Sequence, residues 1–287
     1  MDRAVCEILG QDPLEVAYLD SGNHDVARVT TGAASYVLKG FEGNRYGAYE
    51  REMGMRECLR RFSGLQFPRI LGSVELGETR YVLMEDAAGE RLGEAWSRDH
   101  ARAGAEMSAL GRMLGSLHEI PVAGAERLLE REKVLFSRRY FDWMADTMAP
   151  YWRRDGQPRL LRRCYEVVTS TAVDEVVIHG DFGPHQVVVN SQGEWILIDF
   201  EYAALGAFAD DLGGTEVRLK RQGYPNIEGF LRGYESRRGG STAQYEPVRA
   251  AYKAYNLLAI LTYCLAQRGE EPPGGELERL ERLLASL

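Results

Sequence analysis

VVIHGDFGPHQVVVNSQGEWILIDFEYA, residues 176–203, is the stretch on which the fold turns. An apolar strand, Val176–Ile178, runs into His179-Gly180-Asp181. A loop with Gly183 and Pro184 leads to a second strand, Val187–Val189, and a tight turn at Ser191–Gly193 leads to a third, Trp195–Ile198. That strand ends in Asp199-Phe200-Glu201. Asp181 and Asp199 are 18 residues apart, both at strand ends, and a hairpin between them can bring them close in space. Phosphoryl transfer uses such a pair: one carboxylate orients or deprotonates the attacking hydroxyl, the other holds Mg²⁺ on the phosphates. Taken singly, either aspartate reads as a turn or cap residue. The whole string does not.

Upstream, the first 85 or so residues read as strands with one helix. Leu14–Leu19, Val26–Thr30 and Ser35–Lys39 are short and rich in β-branched or aromatic residues, divided by turn-like Asp20-Ser21-Gly22-Asn23 and Thr31-Gly32-Ala33. Arg45 to Phe62 reads as a helix, and Arg69–Leu76 and Thr79–Glu85 as a hairpin about Gly77-Glu78. Ala87-Ala88-Gly89 reads as a linker. Beyond it the pattern turns helical, over Ala101–Glu119 and roughly 125–135, 137–149 and 158–170, and again from about residue 203 to the end. The expected architecture is α+β and bilobal. Residues 1–86 form a small lobe with a five-stranded antiparallel sheet and one helix, and 87–287 a larger, mainly helical lobe. A cleft at the junction is a common ligand location.

The chain has 287 residues, of which 45% are hydrophobic and 27% charged, which excludes wholesale disorder. Its 43 acidic residues against 35 basic ones give a net charge of −8, which argues against a nucleic-acid binder. Cys6, Cys58, Cys164 and Cys264 are far apart, with no CxxC, so neither a zinc site nor a disulfide framework is suggested. Separate reduced thiols, no apolar leader and no long apolar stretch fit a cytoplasmic protein with no membrane role. Tyr255–Ala266 reads as a buried helix. Only Lys39, Lys133, Lys220 and Lys253 are lysine, against 31 arginines. That is a GC-rich coding bias, against which the lysine ending a strand at position 39 stands out. A compact ammonium fits between phosphates and a carboxylate where a guanidinium does not.

The string at 179–201 resembles the catalytic loop and metal motif of the aminoglycoside phosphotransferase and choline kinase group, a branch of the protein-kinase-like fold. The resemblance extends over nearly the full length. It implies that Asp181 is the catalytic base and Asp199 the principal Mg²⁺ ligand. Tyr36-Val37-Leu38-Lys39 is similar to the strand whose lysine binds the α- and β-phosphates. Arg51-Glu52 is similar to the helix that supplies that lysine's ion-pair partner, with Glu50 as the rival to Glu52. Tyr81–Gly89 resembles the hinge, where adenine is gripped by backbone groups at Glu85 and Ala87 with Met84 lining the pocket. Ser21-Gly22-Asn23-His24-Asp25 takes the place of the phosphate-covering loop. Leu117-His118-Glu119 resembles the Leu-His signature of the first long C-lobe helix. Ala209-Asp210-Asp211-Leu212 resembles the segment after the metal motif, with Asp211 bracing the catalytic loop.

The sequence departs from that pattern at Gln186, where the family's metal-binding residue is Asn. Glutamine offers the same amide oxygen on a stem one methylene longer. His179 reads as a brace for the catalytic loop. His118 reads as a buried, hydrogen-bonded histidine. The expectation is a Mg²⁺-dependent kinase moving a phosphoryl group from ATP or GTP to a hydroxyl of a small molecule. The acidic surplus suits a cationic acceptor such as an aminosugar, and the coding bias is compatible with an antibiotic producer, so the expected acceptor is an antibiotic. Two alternatives stand beside it. One is a metabolic kinase for choline, homoserine or a sugar. The other is a pseudokinase-like binding protein marked by Gln186.

Overall fold

A computed structural model describes residues 1–19, 24–32, 34–43, 47–130, 137–152, 157–224 and 226–287. In chain order the first elements are helix α1 (Asp2–Leu9), strands β1 (Glu15–Leu19), β2 (Asp25–Thr30) and β3 (Ser35–Glu42), helix α2 (Ala48–Phe62), and strands β4 (Ile70–Leu76) and β5 (Thr79–Glu85). The five strands form one antiparallel sheet in the order β1-β2-β3-β5-β4.

Strand alternation sorts the residues of β3 between two faces. Leu38 packs with Val29 and Leu83 against Ala4 and Val5 of α1. Phe41, with Val37 beside it, packs with Val82, Met84 and Ala48 of α2. Lys39 shares the parity of Val37 and Phe41, so it is carried on the α2 face, with Val26 and Val82 as its cross-strand partners. One slip of register would turn it into the α1 cluster instead.

Helix α1 was not anticipated. Its apolar residues Ala4, Val5, Ile8 and Leu9 fall on one face and cover the back of the sheet, and Gly10 ends it in the left-handed conformation. Helix α2 serves two cores. Ala48, Tyr49 and Met53 meet the sheet, whereas Met55, Cys58 and Leu59 belong to the large hydrophobic cluster of the helical lobe.

The remaining elements are β6 (Gly89–Arg91), α3 (Leu92–Arg98), α4 (His100–His118), α5 (Val122–Ala125), α6 (Arg138–Met148), α7 (Gln157–Ser170), β7 (Glu175–Ile178), β8 (Val187–Asn190), β9 (Trp195–Leu197), β10 (Ala204–Ala207), α8 (Phe208–Arg221), α9 (Ile227–Glu235), α10 (Ser241–Tyr245), α11 (Arg249–Arg268) and α12 (Gly274–Ala285). The expected linker at 87–89 runs straight into β6, which pairs with β8. β10, also unanticipated, pairs with β7. The helix expected over 125–135 is instead the short α5 followed by a turn, and residues 131–136 lie outside the described residues. The expected buried helix is the middle of α11, with Tyr255, Leu257, Leu258 and Leu261 in the core. Among the described residues no helix is long and apolar enough to cross a membrane.

Candidate active site

A cavity of about 580 Å³ opens between the sheet and the helical lobe. Lys39, Glu52, Met84, Glu85, Ala87, Asp181, Gln186 and Asp199, all singled out from the sequence, line it. Ser21 and Gly22, expected over the phosphates, lie outside the described residues.

Lys39 reaches the cavity from β3 and is only 6% exposed. Its Nζ stands 2.6 Å from Asp199 Oδ1, 2.8 Å from Glu201 Oε2 and 3.5 Å from Glu52 Oε2. Burial alone would push its pKa down, but the Asp199, Glu52 and Glu201 carboxylates outweigh burial and hold the ammonium well above its ordinary value. Of the two glutamates the sequence left open, Glu50 is exposed and hydrogen-bonds Arg80 at 3.0 Å, while Glu52 is 1% exposed and faces Lys39. Glu52 also accepts from Arg56 Nε at 2.8 Å and from the Phe200 amide at 2.9 Å. Burial opposes its ionisation; Arg56 and Lys39 prevail and hold it below the usual carboxylate range. Helix α2 is thus tied to the Asp199-Phe200-Glu201 triplet through both backbone and side chain.

The catalytic-loop segment is shaped by Gly180. Its φ is 82°, and a Cβ there would lie 2.3 Å from the Tyr202 carbonyl oxygen, so only glycine fits. The loop is braced from behind by Asp211 of α8. Its Oδ2 accepts from the His179 amide at 2.7 Å and from His118 Nε2 at 3.1 Å, and its Oδ1 accepts from the Gly180 amide at 2.8 Å. Burial pushes His118 below its ordinary pKa, so the ring is neutral at neutral pH. Because ionised Asp211 only accepts, the proton lies on Nε2, and Nδ1, 2.8 Å away, accepts from the Tyr234 hydroxyl.

Asp181 emerges from this brace. Its Oδ2 accepts from Gln186 Nε2 at 2.8 Å and lies 3.2 Å from His185 Nε2, and its Oδ1 is ion-paired with Arg218 of α8. Burial opposes ionisation; Arg218 and His185 overcome it, so the carboxyl is held far below its usual range. Asp199 takes a left-handed backbone, φ 65°, which aspartate tolerates better than most residues. Gln186 Nε2 is also 3.3 Å from Asp199 Oδ2, so this one amide spans the two aspartates.

The arrangement suits a hard cation. Lys39 occupies one Asp199 oxygen and the Gln186 amide the other. Turning that amide presents its oxygen, beside Asp199 Oδ2, to an ion between them. Among the described residues no group of three or more His, Cys, Asp or Glu side chains is set to hold a metal unaided. Mg²⁺ is commonly bound by one or two carboxylates completed by substrate phosphates, and the donor set here fits that division.

Four contacts were not anticipated. Arg56, one turn beyond Glu52 on α2, was legible as an i,i+4 pair. His24, 3.1 Å from Glu201, Glu201 itself as a Lys39 partner, and Arg218 on Asp181 join residues too distant in sequence for any local pattern to couple.

The fold is shared with known kinases. The chain superposes on a point mutant of aminoglycoside 2'-phosphotransferase IIIa bound to GDP with a TM-score of 0.71 at 17% identity, covering 99% of this chain and 96% of that one. A thermostable aminoglycoside phosphotransferase APH(4)-Ia, in ternary complex with AMP-PNP and hygromycin B, gives 0.66 at 15%, over 99% and 97%. A candidate fructosamine-3-kinase from Haemophilus somnus gives 0.69 at 11%, over 99% and 95%. No curated protein matches by sequence. The family model described as the phosphotransferase enzyme family matches residues 15–252, most of the chain and every residue from Lys39 to Arg218 named above, and this protein therefore belongs to that family.

Proposed function

We propose that the protein transfers the γ-phosphoryl group of ATP or GTP, taken as the magnesium complex, to a hydroxyl of a small molecule. One observation carries the reading: Asp181 and Asp199, joined by Gln186 at 2.8 and 3.3 Å, meet at one cavity with Lys39, 2.6 Å from Asp199. The purine would lie between Val37, Met84 and Ile198, which line the cavity. The Glu85 amide already donates to the Arg69 carbonyl at 2.9 Å, so the purine would meet the hinge through the Glu85 carbonyl and the Ala87 amide. Lys39, held by Glu52, would take the α- and β-phosphates. Asp199 and Gln186 would hold Mg²⁺, which when bound neutralises phosphate charge.

Asp181 would accept a hydrogen bond from the acceptor hydroxyl and orient its oxygen in line with the γ-phosphorus. The acceptor oxygen forms a bond to phosphorus as the bond from phosphorus to the bridging oxygen breaks. The nucleoside diphosphate leaves, and the hydroxyl proton passes to Asp181 and then to water. Asp181 acts first as an orienting acceptor and takes the proton late, as the loose transition state of such transfers allows.

Inactivation of an antibiotic is the first setting suggested by the sequence. A metabolic kinase is the second, and the acceptor end favours it, since among the described residues it offers no carboxylate free of a protein cation for an aminosugar.

The test is a nucleotide-consumption assay with a turned-over acceptor, comparing wild type with Asp181→Asn. A loss of roughly 10²–10⁴ in kcat is expected; wild-type turnover by the variant would overturn the role of Asp181. Thermal shift with AMP-PNP should show stabilisation that depends on Mg²⁺. A protein with neither turnover nor Mg²⁺-dependent stabilisation would be a binding protein, not a kinase.

A further inference from the structure

The end of the cavity beyond Asp181 is built from Tyr140 of α6, Tyr202, Arg218 of α8, and Asn256, Tyr263 and Arg268 of α11. These are the acceptor's neighbours if the phosphotransfer reading holds. Among the described residues at this end the carboxylate is Asp181, and it is ion-paired with Arg218. The other acids of the cavity are likewise committed. Glu52 is held by Arg56 and Lys39, Asp199 and Glu201 by Lys39, Glu85 by Arg69 and Asp86 by Arg28. A polyamine entering here would meet two arginines and no unpaired acid. The net charge of −8 is therefore not concentrated where a cationic acceptor needs it.

Arg218 is set in place by its surroundings. Its side chain is 17% exposed. A Cβ on Gly214, one turn earlier in α8, would fall 2.8 Å from Arg218 Nη1 and 2.9 Å from Asn256 Oδ1. A Cβ at 214 would make the ends of both side chains shift. The fork carries five N–H donors. The hydrogen bond to Asp181 is made by Nη2, and the group has donors to spare for a planar anion. Arg268, at the end of α11, also lines the cavity; it lies 4.0 Å from Glu270 and is 55% exposed. Three tyrosines, Tyr140, Tyr202 and Tyr263, line the same cavity.

We propose that the acceptor is an anionic hydroxyl compound, a carboxylate or phosphate ester, whose charged group is bound by Arg218. Guanidinium recognition of carboxylate and phosphate is bidentate and strong. The anion also competes with Asp181 for Arg218, which loosens Asp181 Oδ1 to accept the incoming hydroxyl. Acceptor charge and acceptor orientation are thereby read by one side chain. The inference rests on the phosphotransfer reading and specifies its acceptor.

The test is Mg²⁺-ATP consumption by the full chain across a library of hydroxyl compounds balanced among carboxylates and phosphate esters, neutral alcohols, and amines including kanamycin and hygromycin B. Stabilisation of the Mg²⁺–AMP-PNP complex by the same compounds is read in parallel. The expected result is that the highest kcat/KM and the largest stabilisation fall in the anionic group. Arg218→Gln should then lower kcat/KM for the best anionic acceptor by roughly 10- to 100-fold, chiefly through KM, with part restored by Arg218→Lys. Highest turnover of an amine or a neutral alcohol would overturn the proposal. So would a library in which no anion is either phosphorylated or stabilising while nucleotide still binds. So would an Arg218→Gln variant whose acceptor KM is unmoved. Failure of wild type to bind Mg²⁺–AMP-PNP would instead sink the phosphotransfer reading itself.

Discussion

Asp211→Asn removes no heavy-atom volume and one charge, and the structure fixes what that change costs. The carboxylate takes the His179 amide and His118 on one oxygen and the Gly180 amide on the other. An asparagine offers one acceptor oxygen. If its oxygen faces His179, its NH₂ meets the Gly180 N–H; if it turns, the NH₂ meets the His179 N–H. A switch of the His118 tautomer rescues neither case, because the conflict is with backbone donors. One buried N–H therefore loses its acceptor at about 1–3 kcal/mol, and loss of the negative charge in the first turn of α8 adds up to about 1 kcal/mol. The sum is about 1–4 kcal/mol. At about 2 °C per kcal/mol for a domain of this size, the variant should melt about 2–8 °C below wild type by circular dichroism. Because Gly180 precedes Asp181, kcat should fall roughly 10- to 100-fold, while the nucleotide KM, set on the far side of the cavity, moves little. A variant melting within about 1 °C of wild type with kcat within about twofold would refute the argument that Asp211 holds the loop.

The remaining expectations concern three other places. Glu52→Gln leaves buried Arg56 without its carboxylate and should cost about 3 kcal/mol by chemical denaturation. Glu50→Gln breaks an exposed pair and should cost under ~1 kcal/mol; equal losses would mean the wrong glutamate has been read as the Lys39 partner. Gly180→Ala should retain the far-ultraviolet spectrum but lose most activity, since its Cβ displaces Tyr202; near-wild-type kcat would contradict the close approach. Burial pushes the Cys58 thiol up to about 11 and the Cys164 thiol up to about 12, from an ordinary 9.0. Both groups hold their protons more tightly when folded, so their contribution to stability is whole below pH 9 and is lost as pH rises toward 11 and 12. In native protein at pH 8, both should resist alkylation that succeeds after unfolding; fast native labelling of either would refute this.

Much of the fold was legible because its signals are local. The strand triplet ending at Asp199, the alternation along β3 and the apolar middle of α11 each sit within one window. Lys39, Asp181, Gln186 and Asp199, read from separate segments, line one cavity in the structure. What escaped was pairing at a distance. β10 finds β7 across some 25 residues of chain, and its own four residues, Ala204–Ala207, carry little strand character. Arg218 looks like any other arginine on a helix in a chain with 31 of them; only the fold brings it to Asp181. α1 carried an amphipathic pattern and was readable. The acceptor's charge was not legible in the whole-chain sum, which says nothing about where charge lies.

Helix α2 has one face in the sheet's core and the other in the core of the helical lobe. The two halves of the cavity are therefore not free to swing about the connection at Ala87 alone. A rigid strut stands across the back of the cleft, and the gap between Lys39 and Asp199 is a dimension set by side-chain packing around Met53 and Met55. Core substitutions there, remote from any ligand, become adjustments to the spacing of phosphate and acceptor.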